Sequence, residues 1–222
     1  MKAFRAVPVA FMLLLVCVNG ASALDRTDNK LWLAQKVSYA FSPALRARLD
    51  FNERFYADAS RWEEFYVDAA FDYSLSKLLV VSPVYRHVKA KMNSADELRE
   101  DRFHFNIDVR PSAGKWSFSF RSRYEYRIFS DKIKHRFTER LKVSYALASL
   151  KWLSDPSVYF SDELYYDIDL NRANNNETHL GFEYSLGRNT AMEIYYGHET
   201  KRSGPAWEFN TDIVGVETAL RF

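Results

Sequence analysis

Proton-transfer chemistry near neutral pH would fall to five histidines, His87, His104, His135, His179 and His198. Imidazole is the one side chain that ordinarily titrates in that range. A nucleophilic hydrolase would set a serine, cysteine or threonine beside one of them and a carboxylate or amide behind it. No histidine is followed two residues later by serine. His198-Glu199-Thr200 comes nearest, with threonine in the nucleophile's place and no asparagine placed to orient the ring. His179, close in sequence to Asp169 and Glu177, could be drawn as an acid–base pair at a loop. The chain carries no glycine-rich phosphate loop, no His/Asp/Glu cluster at metal spacing and no nucleophile elbow. The histidines therefore read as surface or interior polar residues, and no catalytic residue, metal ligand or cofactor is assigned.

The denser chemistry is cationic. In "WSFSFRSRYEYRIF" (116–129), Trp116, Phe118, Phe120, Tyr124, Tyr126 and Ile128 alternate with Ser117, Ser119, Arg121, Arg123, Glu125 and Arg127. A period of two is that of a strand, whose successive side chains point to opposite faces; a helix cannot produce it. One face of this strand is aromatic and the other carries three arginines.

The elements that must position such residues follow the same rule. "LRARLDFNERFY" (45–56), "FYVDAAFDYS" (65–74) and "RFHFNIDVR" (102–110) alternate over nine or more residues, and 31–41, 78–91, 134–147, 157–168, 178–186, 190–201 and 209–222 do so less purely. Short turn signals, "SPA" (42–44), "SLSK" (74–77), "PSAG" (111–114) and "LGRN" (186–189), take turns with longer polar connections at 57–63, 93–100, 130–134, 170–177 and 202–207. The pattern is all-β: an up-and-down antiparallel sheet.

The first residues belong to another purpose. Lys2 and Arg5 precede the apolar run "AVPVAFMLLLVCV" (6–18), and "ASA" (21–23) offers small residues for cleavage after Ala23, so 1–23 is expected to be a secretory signal. Cys17 is preceded by Val16, where a lipoprotein anchor needs a small residue. Cys17 is also the only cysteine, so the segment 24–222, expected to form a single domain, has neither disulfide nor thiolate metal site. A net charge of +2 gives no reason to expect a nucleic-acid partner. No later run approaches the roughly 20 apolar residues of a transmembrane helix.

A soluble sandwich alternates as well, but its core favours Val, Ile and Leu, whereas here the apolar side is crowded with Phe, Tyr and Trp. Lipid-facing stripes with aromatic girdles and a polar interior describe a transmembrane β-barrel. A soluble ligand-binding barrel is its inverse, apolar within and charged without. The last strand, "DIVGVETALRF", places Val214, Val216 and Leu220 on one side and ends in Phe222. Such an ending resembles the strand by which bacterial outer-membrane barrels are recognised by their assembly machinery. The implied location is the bacterial outer membrane, and the implied partners are its lipids, that machinery and periplasmic chaperones. The segments number eleven. An even count with both termini periplasmic is the rule for bacterial barrels, and 146–157 is long enough to hide a crossing, so about 12 strands are expected, with 10 next.

Alternation sends Arg102, Arg110, Arg121, Arg123, Arg127, Arg136, Arg140 and Lys142 inward as a basic wall. Glu163, Asp167, Glu183, Glu193, Glu199 and Glu217 form an acidic one. Either these charges pair across a small lumen and fill it, or they set a transverse field in a narrow channel for a small polar solute. An outer-membrane hydrolase acting on lipid or peptide, and a periplasmic soluble barrel with an apolar ligand, are the alternatives from other classes.

Five segments, "RYEYR" (123–127), "RFTERLKVSYAL" (136–147), "FSDELYYD" (160–167), "LNRANNNETHLGFEYSL" (170–186) and "AMEIYYGHE" (191–199), in that order resemble a widespread bacterial family of outer-membrane barrel proteins known as a domain of unknown function. Tyr196-Gly197 departs from that family's more usual order. The resemblance implies a fold and a location, and no established activity.

Overall fold

The computed structural model describes residues 28–57, 59–91, 97–149, 153–203 and 206–222. The expected leader at 1–23 lies outside the described residues. Among those described there is no helix long and apolar enough to cross a membrane; the chain is built of strands and turns.

The strands are β1 (Asp28–Ala40), β2 (Leu45–Tyr56), β3 (Arg61–Ser74), β4 (Leu79–Lys91), β5 (Glu97–Val109), β6 (Ser112–Ala113), β7 (Trp116–Phe129), β8 (Ile133–Ala146), β9 (Ser154–Asp167), β10 (Arg172–Ser185), β11 (Thr190–Ser203) and β12 (Ala206–Arg221). Each long strand pairs with its sequence neighbour, and β5 pairs with β7 to complete the ring, since β6 is a two-residue appendage of β7. The result is a closed barrel of eleven strands.

Eleven corrects the expected 12, and the reason is geometric. Strands that alternate in direction put the first and last of an odd set parallel, and β1 and β12 are parallel from Asp28↔Thr211 to Ser38↔Arg221. The connection between β8 and β9 is confined to residues 147–153 and leaves no room for another crossing. Asp28 and Phe222 therefore lie at opposite mouths, against the expectation that both ends share one side. Odd counts have a precedent among mitochondrial barrels.

The mouth that carries Phe222 also holds the turns at 41–44, 75–78 and 186–189, and is called the C-terminal mouth below. Its turns share a device. The Ser42 hydroxyl accepts from the backbone N–H of Ala44 and Leu45 (3.2 and 3.1 Å), and Ser76 does the same for Leu78 and Leu79 (3.2 and 3.1 Å). At the far mouth the long polar connections shrink, because β3, β5 and β10 continue through residues assigned to loops, and the described turns there, such as 130–132 and 168–171, are short. Polar residues there lie on both faces, so alternation carried no signal.

Apolar side chains stand on the outer surface. Phe103, Phe105, Ile107, Trp116, Phe120, Phe137, Phe160, Ile194 and Val214 are all exposed. Residues at the alternate positions of the same strands, Arg102, His104, Asn106, Asp108, Arg123, Glu125, Thr138, Ser161 and Glu163, are buried. Phe120 is 50% exposed while Glu125 is 0% exposed, so the aromatic face of 116–128 points outward and the charged face inward. Two inward tyrosines lie flat over glycines of the adjoining strand: Tyr195 opposite Gly215 and Tyr159 opposite Gly181. A Cβ on Gly215 would sit 1.9 Å from the Tyr195 ring. The glycine is thus a receptacle for the ring.

Candidate functional site

The half of the interior nearer the far mouth is filled by guanidinium–carboxylate contacts. Glu125, on β7, receives Arg136 (Nε to Oε2, 2.7 Å), Arg102 (3.4 Å) and Arg123 (3.4 Å). Glu100, on β5, receives Arg102 (2.8 Å) and two bonds from Arg127 (2.6 and 2.8 Å). Two carboxylates thereby hold four arginines from three neighbouring strands. Such a network is favourable only when every member is paired, because each ion has given up its hydration. Lys30 closes another part of this layer with Glu63 (2.7 Å) and Glu199 (3.2 Å).

Below it the wall is lined from β1 to β4 by charges that the basic and acidic walls left out. Arg86 grips Asp68 with two bonds (2.5 and 2.7 Å) and lies over the Tyr66 ring (3.9 Å). Arg54 covers Trp32 at 3.7 Å and pairs with Glu64 at 3.1 Å. Arg48 contacts Asp50 and Asp72, and Lys36 pairs with Glu217 at 2.5 Å. The alternating Arg46, Arg48, Asp50 and Arg54 of 45–56 carried this signal.

The assigned walls meet directly at two places. Arg121 reaches Glu163 (2.6 Å), and Lys142 bonds Glu183 and lies 3.7 Å from Glu193, which also accepts from the Tyr159 hydroxyl. Arg140 has no hydrogen-bond or ion-pair partner among the described residues, and its Nε is buried. Arg110 is at the C-terminal mouth with its side chain 50% exposed, 3.6 Å from Asp108, rather than in the lumen proper. Asp167 is buried, but it serves the 168–171 turn, accepting from Leu170 N–H (3.0 Å) and the Asn174 amide (3.3 Å). Most charges pair with neighbours on the same or adjoining strands, so the interior is a lattice of local pairs more than two facing sheets of charge.

Between the filled layer and the C-terminal mouth lies a cavity of about 340 Å³, lined by side chains from all eleven long strands. Toward the mouth the inward positions become small: Ser38, Ser117, Ser119, Ser144, Ser157 and Ala219.

The histidines divide. His87, His135 and His198 are on the outer face, the first and last paired with Asp101 (2.8 Å) and Asp212 (3.1 Å), and His135 with the Tyr124 hydroxyl (2.7 Å). His179 is inside, stacked on Tyr195 (4.6 Å between centroids) and edge-on to Trp32 (6.0 Å). It does not pair with Asp169, whose carboxylate caps the His135 backbone N–H at 2.9 Å. No group of three His, Cys, Asp or Glu side chains is disposed to hold a metal ion among the described residues.

The closing strand puts Val214, Leu220 and Phe222 on the outer surface, with Val216 partly covered. Phe222 is held at both backbone groups by β1, its N–H to Ser38 and its carbonyl to Ala40, each at 2.9 Å.

Fold and lining together define a closed β-barrel with an apolar, aromatic outer wall and a charged, largely filled interior. The chain belongs to the family described as protein of unknown function DUF2490, which it matches over residues 29–210. Comparison with curated proteins and with solved structures finds no match to either.

Proposed function

We propose that this chain is a bacterial outer-membrane β-barrel that acts as a closed scaffold, its lumen stoppered on the far side by the Glu100–Glu125 arginine network. The single observation that carries the reading is the sorting of side chains in 102–129. Exposed Phe103, Phe105, Ile107 and Phe120 form the outer wall, while Arg102, Asn106, Arg123 and Glu125 are buried within. Apolar area is favourable against hydrocarbon, and ionised groups are accommodated only where partners or water meet them. The reverse sorting would suit a soluble barrel around an apolar ligand, and the charged lining argues against that alternative.

Outer-membrane lipids are the proposed partners of the outer wall. The assembly machinery and its periplasmic chaperones are the proposed partners of the 214–222 strand. With the C-terminal mouth facing the periplasm, as such a strand requires, β1 would begin on the outer side. A narrow passive channel is the neighbouring proposal, and it differs in one measurable respect. Cell fractionation with a heat-modifiability gel tests membrane and barrel together: the chain is expected in the detergent-soluble outer-membrane fraction, running faster unheated than boiled. In planar bilayers the stoppered scaffold is electrically silent. Steady ion-selective conductance would replace it with the channel, and recovery from the periplasm without detergent would remove both.

A further inference from the structure

We infer that the interior cavity holds one small oxyanion, a carboxylate or inorganic phosphate, against the wall made by β7 and β8, with Arg140 as its principal anchor. Arg121 and Arg140 occupy facing positions in the β7–β8 register, and both point inward. Glu163 is the residue directly opposite Arg140 on β9, yet its carboxylate goes to Arg121 at 2.6 Å. Two guanidinium groups therefore share one carboxylate, and the second has no carboxylate within ion-pair distance among the described residues. The Nε of each arginine is buried with no partner.

Facing like charges destabilise a strand pair, and a cation withdrawn from water costs more unless it is paired. The planar fork of arginine matches the oxygens of a carboxylate or phosphate. A ligand of that chemistry in the cavity that both arginines line supplies the second negative charge that the pair lacks. A second observation points the same way. Trp32, 7% exposed, lines the same cavity, and its indole Nε1 is buried without a partner. Indole N–H is a donor only, so its partner must be an acceptor.

The approach is from the C-terminal mouth. A cavity of about 210 Å³ there is lined by Ser117, Ser119, Ser144 and Lys142, and Lys142 also lines the inner cavity. The route thus passes Lys142, itself held by Glu183 and Glu193, just before Arg140, and ends against the filled layer. It is a place of capture rather than of passage. The inference goes beyond the scaffold role and depends on the interior alone, wherever the barrel resides.

The test uses the full chain refolded in detergent, with the heat-modifiable band as proof of folding. Inorganic phosphate and acetate are titrated at constant ionic strength by calorimetry and by the thermal unfolding midpoint. Wild type is expected to show saturable single-site uptake and a raised midpoint. Arg140→Gln should weaken uptake about tenfold or more, the size of one charge-assisted pair. Arg121→Gln should weaken it as well, because Glu163 is then released to Arg140. Glu163→Gln should tighten it, and Arg99→Gln, a side chain 69% exposed on the outer surface, should leave it unchanged. A folded wild type that takes up neither probe overturns the inference and leaves the scaffold proposal standing. So does tighter uptake in Arg140→Gln or weaker uptake in Glu163→Gln. A chain found soluble in the periplasm would instead overturn the scaffold proposal and leave these titrations unaffected.

Discussion

His198 faces Asp212 directly across β11 and β12, with Nδ1 3.1 Å from Oδ1, and the Tyr196 hydroxyl donates to the same oxygen at 2.6 Å. The arrangement occurs twice. On β4 and β5, His87 faces Asp101 at 2.8 Å and Tyr85 donates to that oxygen at 2.6 Å. The interval is the same in both copies, from 85 through 87 to 101 and from 196 through 198 to 212. The two hairpins are separated by β1, β2 and β3 on one side of the ring and by β7 to β10 on the other. Both clusters sit where the outer wall changes character: Phe103 and Phe105 follow Asp101, and Val214 and Val216 follow Asp212. Tyrosine with one wet end is the residue of such a boundary.

These clusters should therefore mark one edge of the lipid contact. Nitroxide labels placed singly at 99, 101, 103, 105 and 107 on β5 are expected to switch from water-accessible to oxygen-accessible between 101 and 103. On β12 the switch is expected between 212 and 214. Uniform water access through 107 would show that no bilayer surrounds this wall.

The outward stripe also sets a cost for charge. Phe120→Arg, near the middle of β7, is expected to lose about 2–4 kcal/mol of stability in lipid vesicles, the penalty for arginine at the bilayer midplane. Urea titrations of tryptophan fluorescence would measure it. A loss indistinguishable from that of Phe120→Ser would mean the position does not meet hydrocarbon.

Glu125 is completely buried and shared by Arg102, Arg123 and Arg136. Glu125→Ala leaves three cations facing one another, and breaking a buried ion network by removing one partner costs about 3–5 kcal/mol. Protein that still refolds should admit water and ions through the loosened layer, so single-channel recordings are expected to change from silent to conducting. Silence in a correctly folded variant would place the stopper elsewhere.

The alternation of 102–110 and 116–128 made strand identity and facing legible, because period two is a direct consequence of the pleat. Closure was not legible. Nothing in a strand's own residues says whether its far neighbour runs with it or against it, so an assumed even count took the place of information held in the β1–β12 seam. Charge pairing was legible only as a tendency. Glu100 and Arg102 are two apart on one strand, while Arg121 reaches past β8 to Glu163, and side-chain length and register choose between such options. The β1–β4 charges were in plain sight in 45–56 but fell outside the segments from which the two walls were drawn.

Gly215 and Tyr195 offer a test of packing that no charge enters. Gly215→Ala drives a methyl into the ring face, and overpacking of this kind costs about 1–3 kcal/mol. Tyr195→Ala alone should also destabilise, by loss of ring burial. The double variant is expected to be more stable than the sum of the two, since the clash vanishes with the ring. Simple additivity in chemical denaturation would mean the ring does not rest on the glycine.

The parallel seam can be tested covalently, since the only cysteine is Cys17, within the expected leader. Leu33 and Val216 are register partners on the outer face of β1 and β12. Neighbouring strands lie about 5 Å apart, within the span a disulfide bridges. Cysteines at 33 and 216 are expected to crosslink under mild oxidation. So are cysteines at 37 and 220, two periods of the pleat nearer the C-terminal mouth, because parallel partners advance together. An antiparallel seam, as a twelve-stranded barrel demands, would let one of these pairs form and would carry the other several residues out of reach. Crosslinking of both fixes the odd count and sets residue 28 at the mouth opposite Phe222.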